Sequence, residues 1–215
     1  MCASSSAPVF DVTCRRCGRL SDFLIDVSRQ YPDYYAKPVP PFGDADAKLL
    51  IVGLAPGMHG ANRTGRPFTG DHAGILLYQT LYEFGFANQP VSESASDSLE
   101  LVQCRISNAV KCLPPQNKPV TAEIKNCNRF LRTELMSMPE PGVILALGKI
   151  AHDAVLRAFE VPLSRHRFAH AAEHRLDGRV LLDSYHCSRY NTNTRRLTES
   201  MFHDIFKHAR KLVDD

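Results

Sequence analysis

A chain of 215 residues with 44% hydrophobic content can bury a core the size of one medium domain, which excludes a disordered polypeptide. Its formal net charge of +3, from 26 Lys and Arg against 23 Asp and Glu, permits an anionic partner without announcing one. There is no run of about eighteen apolar residues to cross a bilayer. The opening MCASSSAPVFDVT lacks the basic start and continuous apolar run of a secretion signal, so a cytoplasmic protein without a membrane partner is expected.

Cysteines come first along the chain. Cys14 and Cys17, in TCRRCGR, form a turn able to aim two thiolates at one ion; Cys112 and Cys127 make a wider pair separated by fourteen residues. A reducing cytosol keeps such thiols open, so their spacing reads for metal before disulfides. A zinc knuckle would repeat the tight turn, and the wide second pair suits an iron–sulfur cluster at least as well. Either metal would staple rather than catalyse, because four thiolates close its coordination shell. Residues 1–47 then form an N-terminal arm, Pro-rich at 38–41, that has few other means of being held down. Cys2, Cys104 and Cys187 are left over, and Cys104, beside Val102 and Ile106, reads as a packed strand residue.

Beyond the arm, short apolar runs alternate with segments of helical period. KLLIVGLA at 48–55 reads as a buried strand, ILLYQTLYEFGF at 75–86 as a helix and CRISNAV at 104–110 as a strand. Thr121 is placed to cap a helix through Met138, with Ile124, Cys127, Leu131 and Leu135 on one stripe. Strand GVILALG, helix KIAHDAVLRAF, strand VLLDSYH and a helix from Thr198 to Val213 follow, and residues 87–100 form a polar loop. The alternation predicts one α/β domain over 1–215, with a central four-stranded, mainly parallel sheet flanked by helices on both faces.

Ligands of such sheets bind beyond the carboxyl ends of the strands. The four strands run out into GLAPG, SNAVKCLPP, LGK and SYHCSRYNTNT, which should converge on one pocket. The first of these loops extends to GLAPGMHGANRTGRPFTGDHAG, residues 53–74, holding six of the chain's twelve glycines. It has no GKS or GKT and no dinucleotide pattern, so it is neither a P-loop nor a Rossmann turn. Its glycines let main chain approach a ligand, and Phe68 offers a face for stacking or an anchor for the loop. His166, His170 and His174 recur every four residues, which on a helix would make a metal-binding stripe. Their polar surroundings, SRHRFAHAAEHRLDG, point instead to a solvated surface or a hairpin region without metal.

Taken together, GLAPGMHGANRTGRPFTGDHAG, ISNAVKCLPPQNKP, HCSRYNTNTRRLT and the cysteines at 14, 17, 112 and 127 resemble the uracil-DNA glycosylase superfamily. The resemblance is closest to its family 5, the B-type enzymes of bacteria and archaea, and covers almost the whole chain. It implies a structural [4Fe-4S] cluster on the four cysteines, with zinc the alternative. It also implies a monofunctional hydrolase that flips uracil, and other deaminated bases such as hypoxanthine, out of DNA and leaves an abasic site.

On the same resemblance Phe68 stacks on the everted base, Asn108 bonds its pairing edge, and Gly53 and Ala55 complete the base site. His186 donates to charge developing on the base. Ser188, Arg189, Tyr190 and Asn191 follow as DNA contacts and wedge, with Arg195 and Arg196 adding phosphate attraction and Lys207 and Lys211 a solvated face. His59 and His72 lie in the first motif within reach of DNA or ligand.

Two departures stand out. Leu54 occupies the place where sister families carry Asp, Asn or Glu, so Asp71 is the carboxylate expected to orient water or steady an oxocarbenium-like sugar, unless it caps a helix near Ala73. Cys187 follows the histidine where many relatives have proline. Leu54 also leaves open a second reading, an iron–sulfur module that recognises damaged DNA without base release. A monomer is expected, cytoplasmic and associated with the nucleoid.

Overall fold

The computed structural model describes residues 10–215; Cys2 lies outside the described residues. Strands β2 (Leu49–Gly53), β3 (Cys104–Asn108), β4 (Gly142–Leu147) and β6 (Arg179–Ser184) pair in parallel as the centre of the sheet. Every residue of β2, β4 and β6 is buried, as parallel strands covered on both faces require.

The expected four parallel strands are present, but among the described residues the sheet has six. β1 (Phe42–Gly43) and β5 (Glu173–Leu176) close its edges antiparallel to β3 and β6, in the order β1-β3-β2-β4-β6-β5. β1 is two residues long, and β5, with the sequence EHRL, buries only its last residue, so neither carries an apolar run. β5 is made by its turn. Asp177 and Gly178, at φ 44° and 75°, form the two-residue hairpin that sets Leu176 opposite Arg179.

A short helix, α2 (Ala61–Thr64), lies in the loop after β2; helices α3 (His72–Glu83) and α7 (Glu199–Asp214) cover one face of the sheet, and α4 (Thr121–Ser137) and α5 (Lys149–Ala158) the other. α3 begins three residues before its apolar stretch because Asp71 caps it. Thr121 proves to be the first residue of α4 rather than its cap; the Glu123 carboxylate instead accepts from the Val120 N–H at 2.8 Å.

The N-terminal arm needs a correction. It contains a helix, α1 (Gly18–Gln30), that buries Leu20, Leu24 and Val27 on the body of the protein. Arg19 reaches the same Glu123 with Nε at 2.8 Å and Nη2 at 2.7 Å. The arm is therefore held by its own apolar stripe and a forked ion pair, whatever the cysteines bind. No helix among the described residues is long and apolar enough to cross a membrane.

Candidate active site

Parallel pairing sets Gly53 at the end of β2 beside Asn108 at the end of β3. The pairing continues past the strands, with Ala109 N–H donating to Gly53 O at 2.9 Å and Val110 N–H to Leu54 O at 3.0 Å. These two tails, the entrance of α3 and the segment after β6 surround a cavity of about 440 Å³, within the range of small-ligand sites. Leu54, Ala55, Phe68, Asp71, Asn108 and His186 all line it.

Asn108 is buried with its carboxamide toward this space, and Phe68 is buried at φ 54°. Both crowd Gly53: a Cβ there would strike Asn108 Oδ1 and come within 2.8 Å of Phe68 Cζ. The glycine thus admits the two side chains that wall the cavity, a role the loop's composition left between ligand and chain. The Phe68 and His186 rings lie near parallel, 27° apart with centroids at 5.8 Å. Burial pushes the His186 imidazole down to about 4, so at neutral pH it carries a single N–H and no charge.

Asp71 uses its two oxygens differently. Oδ1 accepts from Gly74 N–H at 2.9 Å and caps α3. Oδ2 packs against Gly60, where an added Cβ would stand 2.7 Å away. Burial raises this carboxyl above its ordinary range, while the backbone N–H groups of Gly74 and Ala73 pull it back. Among the described residues lining the cavity it is the one carboxylate, and Leu54 presents an apolar face. Cys187 is fully buried beside this group: burial, and then the Asp71 charge, push its thiol up.

After His186 the chain forms a short helix, α6 (Arg189–Asn193), capped by the Ser188 hydroxyl, which accepts from Asn191 N–H. Ser188 and Arg189 lie at the cavity mouth, and Tyr190 is 72% exposed. Asn191 turns inward instead and donates from Nδ2 to the His186 carbonyl at 2.8 Å. His72 lines the cavity, whereas His59 is exposed and pairs with the Tyr34 hydroxyl at 2.8 Å. One lining residue escaped the sequence reading. Asn117, at φ 57° after Gln116 at φ 55°, enters from the PPQN turn; it lies within the motif ISNAVKCLPPQNKP, but nothing there singles it out from its neighbours.

Cys14, Cys17, Cys112 and Cys127 line a second, small cavity with Leu20, Val110 and Phe130. Burial, and then the neighbouring cysteines, push Cys112 up to about 12; burial pushes Cys127 up to about 11 against the pull of Lys111. Cys127 Sγ accepts from Lys111 N–H at 3.3 Å, and Cys17 Sγ from Asn126 Nδ2 at 3.7 Å. The 161–172 segment holding His166 and His170 is irregular rather than helical, and His174 lies in β5. His170 Nδ1 accepts from Tyr185 N–H, away from the other two.

The parallel centre of the sheet thus ends in a flat-walled cavity with a carboxamide, an uncharged imidazole and a buried carboxylate, an arrangement suited to a planar heterocyclic ligand. Residues 40–210 match the family described as the uracil DNA glycosylase superfamily, and the chain belongs to it. It is similar to the type-5 uracil-DNA glycosylase of Thermus thermophilus, 46% identical over 206 residues, which span 93% of this chain and 94% of the relative. It is similar also to those of Mycobacterium leprae, 44% identical over 93% of this chain and 91% of the relative, and Pyrobaculum aerophilum, 40% identical over 92% and 88%.

Proposed function

We propose that this chain is a DNA repair glycosylase that everts uracil, and further deaminated bases such as hypoxanthine, and hydrolyses the N-glycosidic bond. The observation that carries this reading is the meeting of Phe68, Asp71, Asn108 and His186 around one cavity. Phe68 gives the base a face, and the Asn108 carboxamide, both donor and acceptor, reads its pairing edge. Gly53 and Ala55 bring main chain close on the same side.

As the glycosidic bond breaks, its electron pair passes to the base and positive charge develops on the sugar. The neutral His186 N–H donates to the base oxygen where that charge collects, a role worth about 3 kcal/mol for preorganised donors elsewhere. The Asp71 carboxylate faces the sugar, steadying its cation or orienting the water whose hydroxyl ends on the anomeric carbon. Ser188, Arg189 and Tyr190 meet the DNA backbone and the gap left by the base, with Asn191 bracing the loop beneath them.

The four cysteines suit a [4Fe-4S] cluster better than zinc. The sole trio of potential ligands within 4.8 Å of one another among the described residues contains no cysteine. Sulfurs around a single zinc, with bonds of about 2.3 Å, would lie roughly 3.8 Å apart. The cluster would be structural, joining the 1–47 arm to α4 within one domain. The enzyme would act as a monomer on nucleoid DNA in the cytoplasm.

The test is incubation of the purified protein with a duplex bearing one uracil, followed by alkali. Strand scission at the uracil is expected, and hypoxanthine duplexes extend the panel. Intact strands with tight, salt-sensitive binding would establish the alternative, a damage-recognising module without base release. Brown colour with matching iron and sulfide supports the cluster; colourless zinc-bearing protein refutes it.

A further inference from the structure

A second polar cluster lies under the same strand that leads to His186 but outside the base cavity. Asp183 of β6 is fully buried, and its two oxygens meet different imidazoles. Oδ1 lies 2.8 Å from His152 Nδ1 on α5, and Oδ2 lies 3.1 Å from His174 Nε2 on β5. Nothing in the proposed glycosylase chemistry uses any of the three.

Hydrogen-bond bookkeeping at His152 sets the problem. Its Nε2 lies 3.2 Å from the His166 carbonyl oxygen, an acceptor only, so Nε2 holds a proton. Its Nδ1 faces a carboxylate, also an acceptor. A neutral ring would aim a lone pair at the charged carboxylate, so the contact requires one more proton, on the ring or on the carboxyl, or a metal ion. A carbonyl that fixes one nitrogen of a histidine as donor, freeing the other, is the usual outer shell of a ligating imidazole.

We propose that His152, His174 and Asp183 form a binding site for a divalent transition metal ion, zinc by ligand type. Two imidazole nitrogens and one carboxylate oxygen, all within 4.8 Å of one another, make the three-ligand set that zinc completes with water or one more side chain. Bonds of about 2.0–2.1 Å would place the ligand atoms roughly 3.3 Å apart, so the two histidine–carboxylate contacts, now 2.8 and 3.1 Å, would open by a few tenths of an ångström. His166, half-buried with its ring centroid 4.9 Å from that of His174, is the available fourth ligand and marks the way in from solvent. On binding, the ion replaces that additional proton, and His174 moves its proton to Nδ1. One proton leaves per ion. The site would fasten the β5–β6 hairpin to α5.

The experiment uses the full protein as purified, washed with a mild chelator that leaves the cysteine site filled, and titrated with zinc or cobalt. Wild type is expected to take up one added ion, with a cobalt spectrum of d–d bands lacking sulfur charge transfer and a higher melting temperature in zinc. His174→Gln, at the less deeply buried ligand, and Asp183→Asn should each weaken uptake at least about tenfold. His174→Gln keeps the test valid where Asp183→Asn fails to fold. No added ion on wild type at micromolar zinc, uptake undiminished in His174→Gln, or a sulfur charge-transfer band would each overturn the proposal. None of these readouts depends on base release.

Discussion

Asp71 serves two partners with one carboxylate, and a single substitution separates them. Asparagine caps helices about as well as aspartate, so Asp71→Asn should leave the melting temperature within about a degree of wild type. Loss of the charge proposed to face the sugar should slow uracil release roughly a hundredfold or more in single-turnover assays. A variant that melts early and loses activity in proportion would show that capping was the whole role.

His186 makes a separate forecast from its depressed imidazole. In the unfolded chain it titrates near its ordinary 6.5, in the folded protein near 4, so the unfolded state binds the proton first as pH falls. Its contribution to stability is intact above about 6.5 and is lost progressively down to about 4. Melting temperatures of wild type should therefore fall more steeply across that window than those of His186→Gln.

At the scale of elements, Glu123 is the joint between α1 and α4. Glu123→Ala removes both the acceptor for Val120 N–H and the partner of Arg19. The cap alone is worth about 1 kcal/mol, and the half-exposed Arg19 adds less than its distances suggest. A urea melt should shift by at least that amount, and protease should cut the arm faster; an unchanged cleavage rate would mean that Leu20, Leu24 and Val27 hold it alone.

Which elements were legible follows from what made them. β2, β4 and β6 announced themselves because parallel strands covered on both faces are apolar throughout. β5 did not, since EHRL has no such run, although the Asp-Gly pair after it was a readable hairpin turn. α1 was masked because its apolar stripe of Leu20, Leu24 and Val27 follows directly on the Cys14–Cys17 turn, whose spacing reads for metal. Phe68, Asp71, Asn108 and His186 could be named from motifs, but composition did not reveal that Gly53 makes room for Phe68 and Asn108. The trio of His152, His174 and Asp183 was out of reach: its members come from a helix and two strands, and only their packing brings them together.

Across the whole molecule, Lys111 links the two cavities. It is buried, its Nζ reaches Ser107 Oγ on β3 and Glu134 Oε1 on α4 at 2.7 Å, and its backbone N–H meets Cys127. Asn108 stands three residues before it on the same run of chain. With the proposed cluster in place, Cys127→Ala should bleach the protein, lower its melting temperature by several degrees and hasten cleavage of the arm. Uracil release by the fraction that stays folded should keep its wild-type pH profile, because the cysteines touch no reacting atom; a changed profile would give the cluster more than a structural part.

The register that sets Gly53 against Asn108 has an evolutionary corollary. On the proposed roles, lesion choice would rest on main-chain pairing at the centre of the sheet, and grip on the duplex on a capped turn hung outside it. Grafting residues 188–194 from another member of the superfamily should therefore alter affinity and salt tolerance while leaving the preferred lesion as it was. Damage spectrum and DNA tenacity are in this sense separately inheritable traits of one polypeptide.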